Sequence, residues 1–126
     1  MTDQVTSIEQ SKRLIELGVP AEKASMCWVK DPNENEYYLA VHDEYCVACL
    51  EPIPAFTVAD LLGLLPPKIS WRDPSDGNFR MRRYMRENGI EWVVDYDRFI
   101  ANDVSIISAL VDTIILLVSA KHELNL

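Results

Sequence analysis

The segment from Asn102 to Leu124 carries apolar residues at helical spacing around most of its circumference. At about 100° per residue, its polar positions fall on one stripe roughly 60° wide. These positions are Ser105, Ser108, Asp112 and Ser119. The pattern predicts a helix that is apolar over nearly three quarters of its surface. Because a sheet covers only one side of a helix, we expect a second helix or a second subunit to cover the rest.

Near the N-terminus, a capping pattern predicts another helix. Ser7 followed by Gln10, or Thr6 followed by Glu9, has the spacing of a capping box. We expect this helix to stop at Gly18, because glycine adopts the positive φ that commonly ends a helix. The sequence leaves both capping alternatives open.

Two shorter helices are predicted from proline and threonine positions. Pro20 suits the first turn of a short helix through Ala24, because the N–H that proline lacks is not needed there. Thr57 with Asp60 has the spacing of a cap for a helix through Leu65. These elements are expected beside the C-terminal helix.

Short aromatic or β-branched runs, separated by polar turns, predict antiparallel strands. They lie at Met26 to Lys30, Glu36 to His42 and Tyr45 to Leu50, with a further strand starting at Ile69 and Trp71 and a hairpin from Phe79 to Arg98. The expected fold is α+β, with residues 1–126 as a single domain. An antiparallel sheet of about five or six strands packs against the long C-terminal helix and two or three shorter helices.

The hairpin is predicted in register, because Asn88-Gly89 is a preferred two-residue turn. With Glu87 opposite Ile90, three pairs of opposite charge fall on one face: Arg86 with Glu91, Arg82 with Asp95, and Arg80 with Asp97. The other face carries Met85 opposite Trp92, Arg83 opposite Val94 and Met81 opposite Tyr96. The arginine cluster is therefore interpreted as a neutralised solvent face rather than a strip for nucleic acid.

Charge is distributed unevenly along the 126 residues, which have a formal net charge of −8. Residues 1–60 hold four Lys/Arg against eleven Asp/Glu, a net −7, and residues 61–126 hold eight against nine, a net −1. An acidic half repels phosphate backbones, so direct nucleic-acid binding is disfavoured. The carboxylates at Glu34, Glu36, Asp43, Glu44 and Glu51 instead suggest a surface that mimics nucleic acid and binds a basic partner.

Three cysteines, Cys27, Cys46 and Cys49, fit free thiols in a reducing compartment. Cys46 and Cys49 have the spacing of half a zinc site, and Cys27 with His42 would complete four ligands. On a strand, however, the two thiols of the pair would point to opposite faces. Buried free cysteines are therefore the favoured interpretation, with a metal site or redox pair as the weaker alternatives.

The sequence contains no recognised catalytic motif, phosphate-binding loop or cofactor motif. We therefore predict no catalytic residues and no cofactor. The N-terminal residues have neither the basic start nor the apolar core of a secretory signal, and no apolar run approaches the roughly 18 residues of a membrane span. The expected location is the cytoplasm.

Several segments together resemble a family of short, uncharacterised proteins from prophages and other mobile elements of anaerobic gut bacteria. The resemblance is carried by residues 6–18, residues 54–62, Trp92 with Tyr96, and residues 110–112 leading to residues 121–124. It implies a bacterial or phage origin, cytoplasmic residence and an accessory role in the life cycle of the element. It assigns no catalytic residue.

These observations favour a non-enzymatic protein-interaction module. The C-terminal helix has more apolar surface than one sheet can cover, and a homodimer is the simplest cover. The expected interaction residues on this helix are Ile107, Leu110, Ile114 and Leu117. Two alternatives remain: the acidic mimic described above, and a small metal protein or enzyme that uses Cys46, Cys49 and His42.

Overall fold

A computed structural model describes residues 4–30, 36–41, 52–67, 77–87, 89–96 and 99–126. The chain forms two compact units, Met1–Asp60 and Leu61–Leu126. The assignment of the whole chain to one domain stays a prediction, since two compact units can belong to one domain.

The first unit begins with helix α1, Ile8–Glu16, which has the predicted capping box. The Ser7 N–H donates to Gln10 Oε1 at 2.9 Å, and the Gln10 N–H donates to Ser7 Oγ at 3.1 Å. Gly18 follows the helix with φ of 99°, and its N–H donates to the Ile15 carbonyl. Of the two capping alternatives, Ser7 with Gln10 is therefore confirmed. The short helix expected from Pro20 to Ala24 is a single 3-10 turn, Ala21–Lys23.

Three strands of the described residues form an antiparallel sheet in this unit, in the order β2-β1-β3. Their bounds are Met26–Lys30 for β1, Tyr37–Val41 for β2 and Ile53–Ala55 for β3. The first two confirm predicted strands, whereas β3 is not predicted by the sequence pattern. Proline is tolerated within β3 because this strand lies at the edge of the described sheet. The strands expected at residues 45–50 and from residue 69 lie outside the described residues.

The core of the first unit lies around Trp28. This side chain packs with Val5 and Ala55, and its Nε1–H donates to the Thr6 carbonyl at 3.0 Å. On the opposite face of β1, Cys27 and Val29 are buried. Both faces of the central strand are thus covered, which explains its nearly continuous apolar sequence.

Helix α2, Val58–Leu64, confirms the predicted Thr57 cap and contains the boundary between the two units. The Asp60 N–H donates to Thr57 Oγ1 at 3.2 Å, and the Thr57 N–H donates to Asp60 Oδ2 at 3.0 Å. The Ser25 N–H and hydroxyl also donate to the Asp60 carboxylate. Burial alone would raise the pKa of Asp60, but these hydrogen bonds from Ser25 and Thr57 outweigh it and lower the pKa. Asp60 is therefore a structural carboxylate.

In the described part of the second unit, three strands form an antiparallel sheet in the order β4-β5-β6, covered by helix α3. The bounds are Arg80–Arg86 for β4, Gly89–Tyr96 for β5, Phe99–Asp103 for β6 and Ile106–Ser119 for α3. The α+β class with antiparallel strands is confirmed. The six described strands, however, form two sheets rather than one, so the expected single large sheet is not present in the described chain.

The C-terminal helix is shorter than predicted. Asn102 and Asp103 belong to β6, and the helix begins after its N-cap Ser105, whose hydroxyl oxygen accepts from the Ser108 N–H. At the other end, Lys121 adopts φ of 63° and its N–H donates to the Val118 carbonyl. This left-handed residue closes the helix where a glycine is usually found.

The predicted hairpin register is wrong by two residues. Arg86 lies opposite Gly89 and Arg80 opposite Asp95, where the sequence places Glu91 and Asp97. Side chains alternate between faces along a strand, so a shift of two residues keeps every side chain on its predicted face. The division into a charged face and an apolar face therefore holds although the pairing differs.

Candidate interaction surface

The charged face of the hairpin is an internally paired network. Asp95, which is only 1% exposed, accepts from Arg80 Nε at 3.0 Å and from Arg82 Nη2 at 3.2 Å. Arg86 Nε donates to Glu91 at 2.8 Å, and Asn102 Nδ2 donates to the same carboxylate at 2.7 Å. The hydrogen bonds from Asn102 and Arg86 lower the pKa of Glu91. The predicted pairs Arg86–Glu91 and Arg82–Asp95 are present, while Asp97 lies outside the described residues.

Tyr84 lies between two arginines on this face. The guanidinium carbons of Arg82 and Arg86 are 5.6 and 5.0 Å from the centre of its ring. Both arginines are already paired with carboxylates, so their positive charge is offset locally. This arrangement fits a neutralised solvent face better than a stacking site for nucleic acid.

The apolar face of the hairpin is covered at one end only. Val94 and Tyr96 are buried where α3 packs on β5 and β6. Toward the connection between β4 and β5 the same face becomes exposed: Met85 is 78% exposed and Ile90, directly opposite it, is 38% exposed. Sequence alternation assigns these residues to a core face but cannot show where the covering helix ends.

Arg83 and Trp92 continue this exposed end of the apolar face. They lie opposite each other, and the Arg83 guanidinium carbon is 5.8 Å from the centre of the Trp92 ring. We call Arg83, Met85, Ile90 and Trp92 the hairpin-end surface. Arginine, methionine and tryptophan are enriched in protein interfaces, and arginine and tryptophan are common among the residues that contribute most to binding.

The role of the interaction residues expected on the C-terminal helix stays a prediction. Ile107, Leu110, Ile114 and Leu117 are all buried. Beneath the same helix, Tyr96 donates from its hydroxyl to the Pro66 carbonyl at 2.6 Å, and burial raises its pKa. These residues contribute to the core, so contact with another molecule through α3 would use its exposed residues.

A groove runs between β6 and α3 on the surface of the second unit, with a volume of about 320 Å³. Its lining residues are Ile100, Ala101, Asn102, Asp112, Ile115 and Leu116. Ile100 is 59% exposed and Leu116 is 36% exposed, so the groove presents apolar side chains to solvent. Partial burial, and then the negative charge of Asp103, raise the pKa of Asp112.

Most of the remaining candidates lie outside the described residues: Cys46, Cys49, His42, Glu34, Asp43, Glu44 and Glu51. Cys27 is a buried thiol, and Glu36 is exposed just before β2. In the described ranges there is no group of three His, Cys, Asp or Glu residues arranged to hold a metal ion. The same ranges contain no helix with the length and apolar character of a bilayer span.

Comparison with known proteins gives no match: no protein-family model, no curated protein and no solved structure is significantly similar to this chain. The functional interpretation therefore depends on the chemistry of the surfaces described above.

Proposed function

We propose that this chain is a non-enzymatic protein-interaction module, and that the hairpin-end surface is one of its contact sites. The observation that carries the proposal is the exposure of Met85 and Ile90 on the sheet face whose other end, at Val94 and Tyr96, is buried. Two opposed apolar side chains lie here beside an arginine and a tryptophan. Their burial against a partner is favourable because it removes apolar surface from water.

Site-specific photocrosslinking tests the proposal. Benzoylphenylalanine is placed at Met85 or, as a matched control, at Val41, an exposed apolar position on β2. We expect a discrete adduct from position 85, either with a second copy in the purified sample or with another protein when a bacterial extract is added. Position 41 should give only background. Background crosslinking from both positions would contradict the proposal.

The second candidate is an acidic protein that mimics nucleic acid and binds a basic partner. It is supported by the net −7 of residues 1–60 and by the exposed Glu36. Long-range attraction between charges is screened by salt, so binding to a basic protein should weaken steeply between about 50 and 300 mM NaCl if this candidate holds. Binding through the hairpin-end surface should change little over the same range. Titration of a lysine-rich protein such as a histone, monitored by calorimetry, separates the two.

The metal or enzyme alternative is tested by elemental analysis of the purified chain, with Cys46→Ser/Cys49→Ser as the matched control. Stoichiometric zinc that is lost in the control would favour this alternative. We also propose, on the resemblance to mobile-element proteins, a bacterial or phage origin and residence in the cytoplasm. Neighbouring genes for packaging, replication or host defence would support that origin.

A further inference from the structure

The groove between β6 and α3 and the hairpin-end surface have complementary chemistry. The groove offers Ile100, Ile115 and Leu116 around the carboxylate of Asp112. The hairpin-end surface offers apolar side chains around the guanidinium of Arg83. Each surface thus consists of exposed apolar groups around one charge, and the two charges are of opposite sign.

Neither of these two charges has an ionic partner within the described residues. Arg80, Arg82 and Arg86 are paired with carboxylates, whereas the described part of the chain gives Arg83 only the ring of Trp92. Likewise, no cation of the described ranges pairs with Asp112, and the like charge of Asp103 acts on it. A cation placed in the groove would relieve that repulsion.

We propose that a second copy of this chain docks its hairpin-end surface into this groove, with Arg83 of one copy facing Asp112 of the other. The inference rests on the proposed function and names the partner of the same surface. A reciprocal exchange about a two-fold axis forms the contact twice in one dimer, which doubles the buried area and closes the assembly. Apolar contact with Ile100, Ile115 and Leu116 supplies the attraction, and the charge pair sets the orientation.

Charge complementarity favours a second copy over an unrelated partner. Net charges of −8 repel each other at long range, so two copies associate only where opposite charges meet at short range. Arg83 supplies such a positive charge, since Arg80, Arg82 and Arg86 of the same strand are already paired with carboxylates. A small reciprocal interface of this kind is expected to have a Kd on the order of 1–100 µM.

A charge-exchange experiment tests the contact directly. Arg83→Glu places two negative charges together in a dimer of identical copies, and Asp112→Lys places two positive charges together. Each single variant should therefore lose at least about tenfold in dimer affinity by sedimentation velocity.

Mixing the two variants restores both charge pairs. The glutamate introduced at position 83 of one copy meets the lysine introduced at position 112 of the other. The second contact pairs the unchanged Arg83 with the unchanged Asp112, as in the wild type. The mixture should therefore form a heterodimer with affinity close to that of the wild type.

Matched controls make the same changes in net charge elsewhere. Lys23→Glu and Glu123→Lys alter residues outside both surfaces and should associate like the wild type. Circular dichroism should show unchanged folding of all four variants. Since the mixture contains only the variant chains, its recovery also shows that neither variant failed to fold.

Three results would overturn the inference: a wild-type chain that stays monomeric up to about 500 µM, well above the expected Kd; single variants that associate like the wild type; or a mixture that does not associate. A monomeric purified chain that still crosslinks to another protein through position 85 would reject the second copy and retain the interaction module. Background crosslinking from position 85 would reject both.

Discussion

Arg82 Nη2 lies 3.2 Å from Oδ2 of Asp95, so a carboxylate buried within the sheet face is held by an arginine that is itself half exposed. Arg80 binds the other carboxylate oxygen at 3.0 Å. Removal of the arginines would take two ionic contacts from a buried carboxylate, whereas the arginines themselves can be hydrated. The two partners of this cluster therefore differ in how much their loss costs.

The first prediction follows from that asymmetry. Replacing both arginines, Arg80→Met/Arg82→Met, should lower the free energy of unfolding by about 3 kcal/mol, because the buried Asp95 loses both of these ion pairs. Arg83→Met, on the opposite face, should cost no more than about 1 kcal/mol, the value of its contact with Trp92. Urea denaturation of dilute protein measures both. Equal losses would mean that Asp95 is not held as described.

The second prediction concerns two glycines with different backbones. Gly89 has φ of 122°, a backbone conformation that is strained for any residue with a Cβ. Gly89→Ala should therefore lower the free energy of unfolding by about 1 kcal/mol or more. Gly63 lies inside α2 without a positive φ and has open space where a Cβ would stand, so Gly63→Ala should stabilise by about 0.5–1 kcal/mol. Thermal unfolding should show a lower Tm for Gly89→Ala and a higher Tm for Gly63→Ala than for the wild type. Shifts of the same sign would contradict the assigned backbone at Gly89.

Lys121 gives the third prediction. Its φ of 63° at the end of α3 costs a residue with a Cβ about 1 kcal/mol or more. Lys121→Gly should therefore stabilise the chain by about 0.5–1 kcal/mol, after the extra freedom of glycine in the unfolded chain is subtracted. Lys121→Ala is the control, because it removes the charge and keeps the strain. Equal stability of the two variants by urea denaturation would exclude strain as the cause.

The fourth prediction is a pH dependence at Asp112. Its folded pKa is raised, so the folded chain binds the proton more tightly than the unfolded chain, whose carboxyl has a pKa of about 3.9. The ionised form is therefore destabilising, and stability is lost as the pH rises through the folded pKa. Asp112→Asn does not titrate. This variant should have a Tm about 1–2 °C above that of the wild type at pH 7, and the same Tm as the wild type below about pH 3.

Dilute protein is used for that measurement, so that association does not contribute. A stabilisation by Asp112→Asn that is independent of pH would show that packing, and not ionisation, distinguishes the two side chains.

Local signals in the sequence predict local structure well in this chain. The Ser7–Gln10 box, the stop at Gly18 and the Thr57 cap depend on residues a few positions apart, and all are present. The two faces of the hairpin follow from alternation alone. The register between the strands does not follow from alternation. The observed register lets both Arg80 and Arg82 form ion pairs with Asp95, and the preference of Asn88-Gly89 for a turn contains no information about these pairs.

The missed elements are those whose partners are distant or whose sequence pattern is ambiguous. The strand β3 has only three residues and contains Pro54, and β6 ends in Asn102 and Asp103, which are common in turns. Division into two sheets is decided by long-range pairing, which periodicity does not report. For the same reason the exposed surface could not be placed on Met85 and Ile90, because their exposure depends on where α3 ends its cover.

The alternation of side chains between the two faces of β4 and β5 has a consequence for how this hairpin can evolve. Gain or loss of residues in steps of two would lengthen or shorten it while each surviving side chain stays on its own side. Single steps would exchange the sides and bring arginines toward the interior. We therefore expect the length of this hairpin to vary among related sequences by even numbers of residues, with one charged face and one apolar face retained.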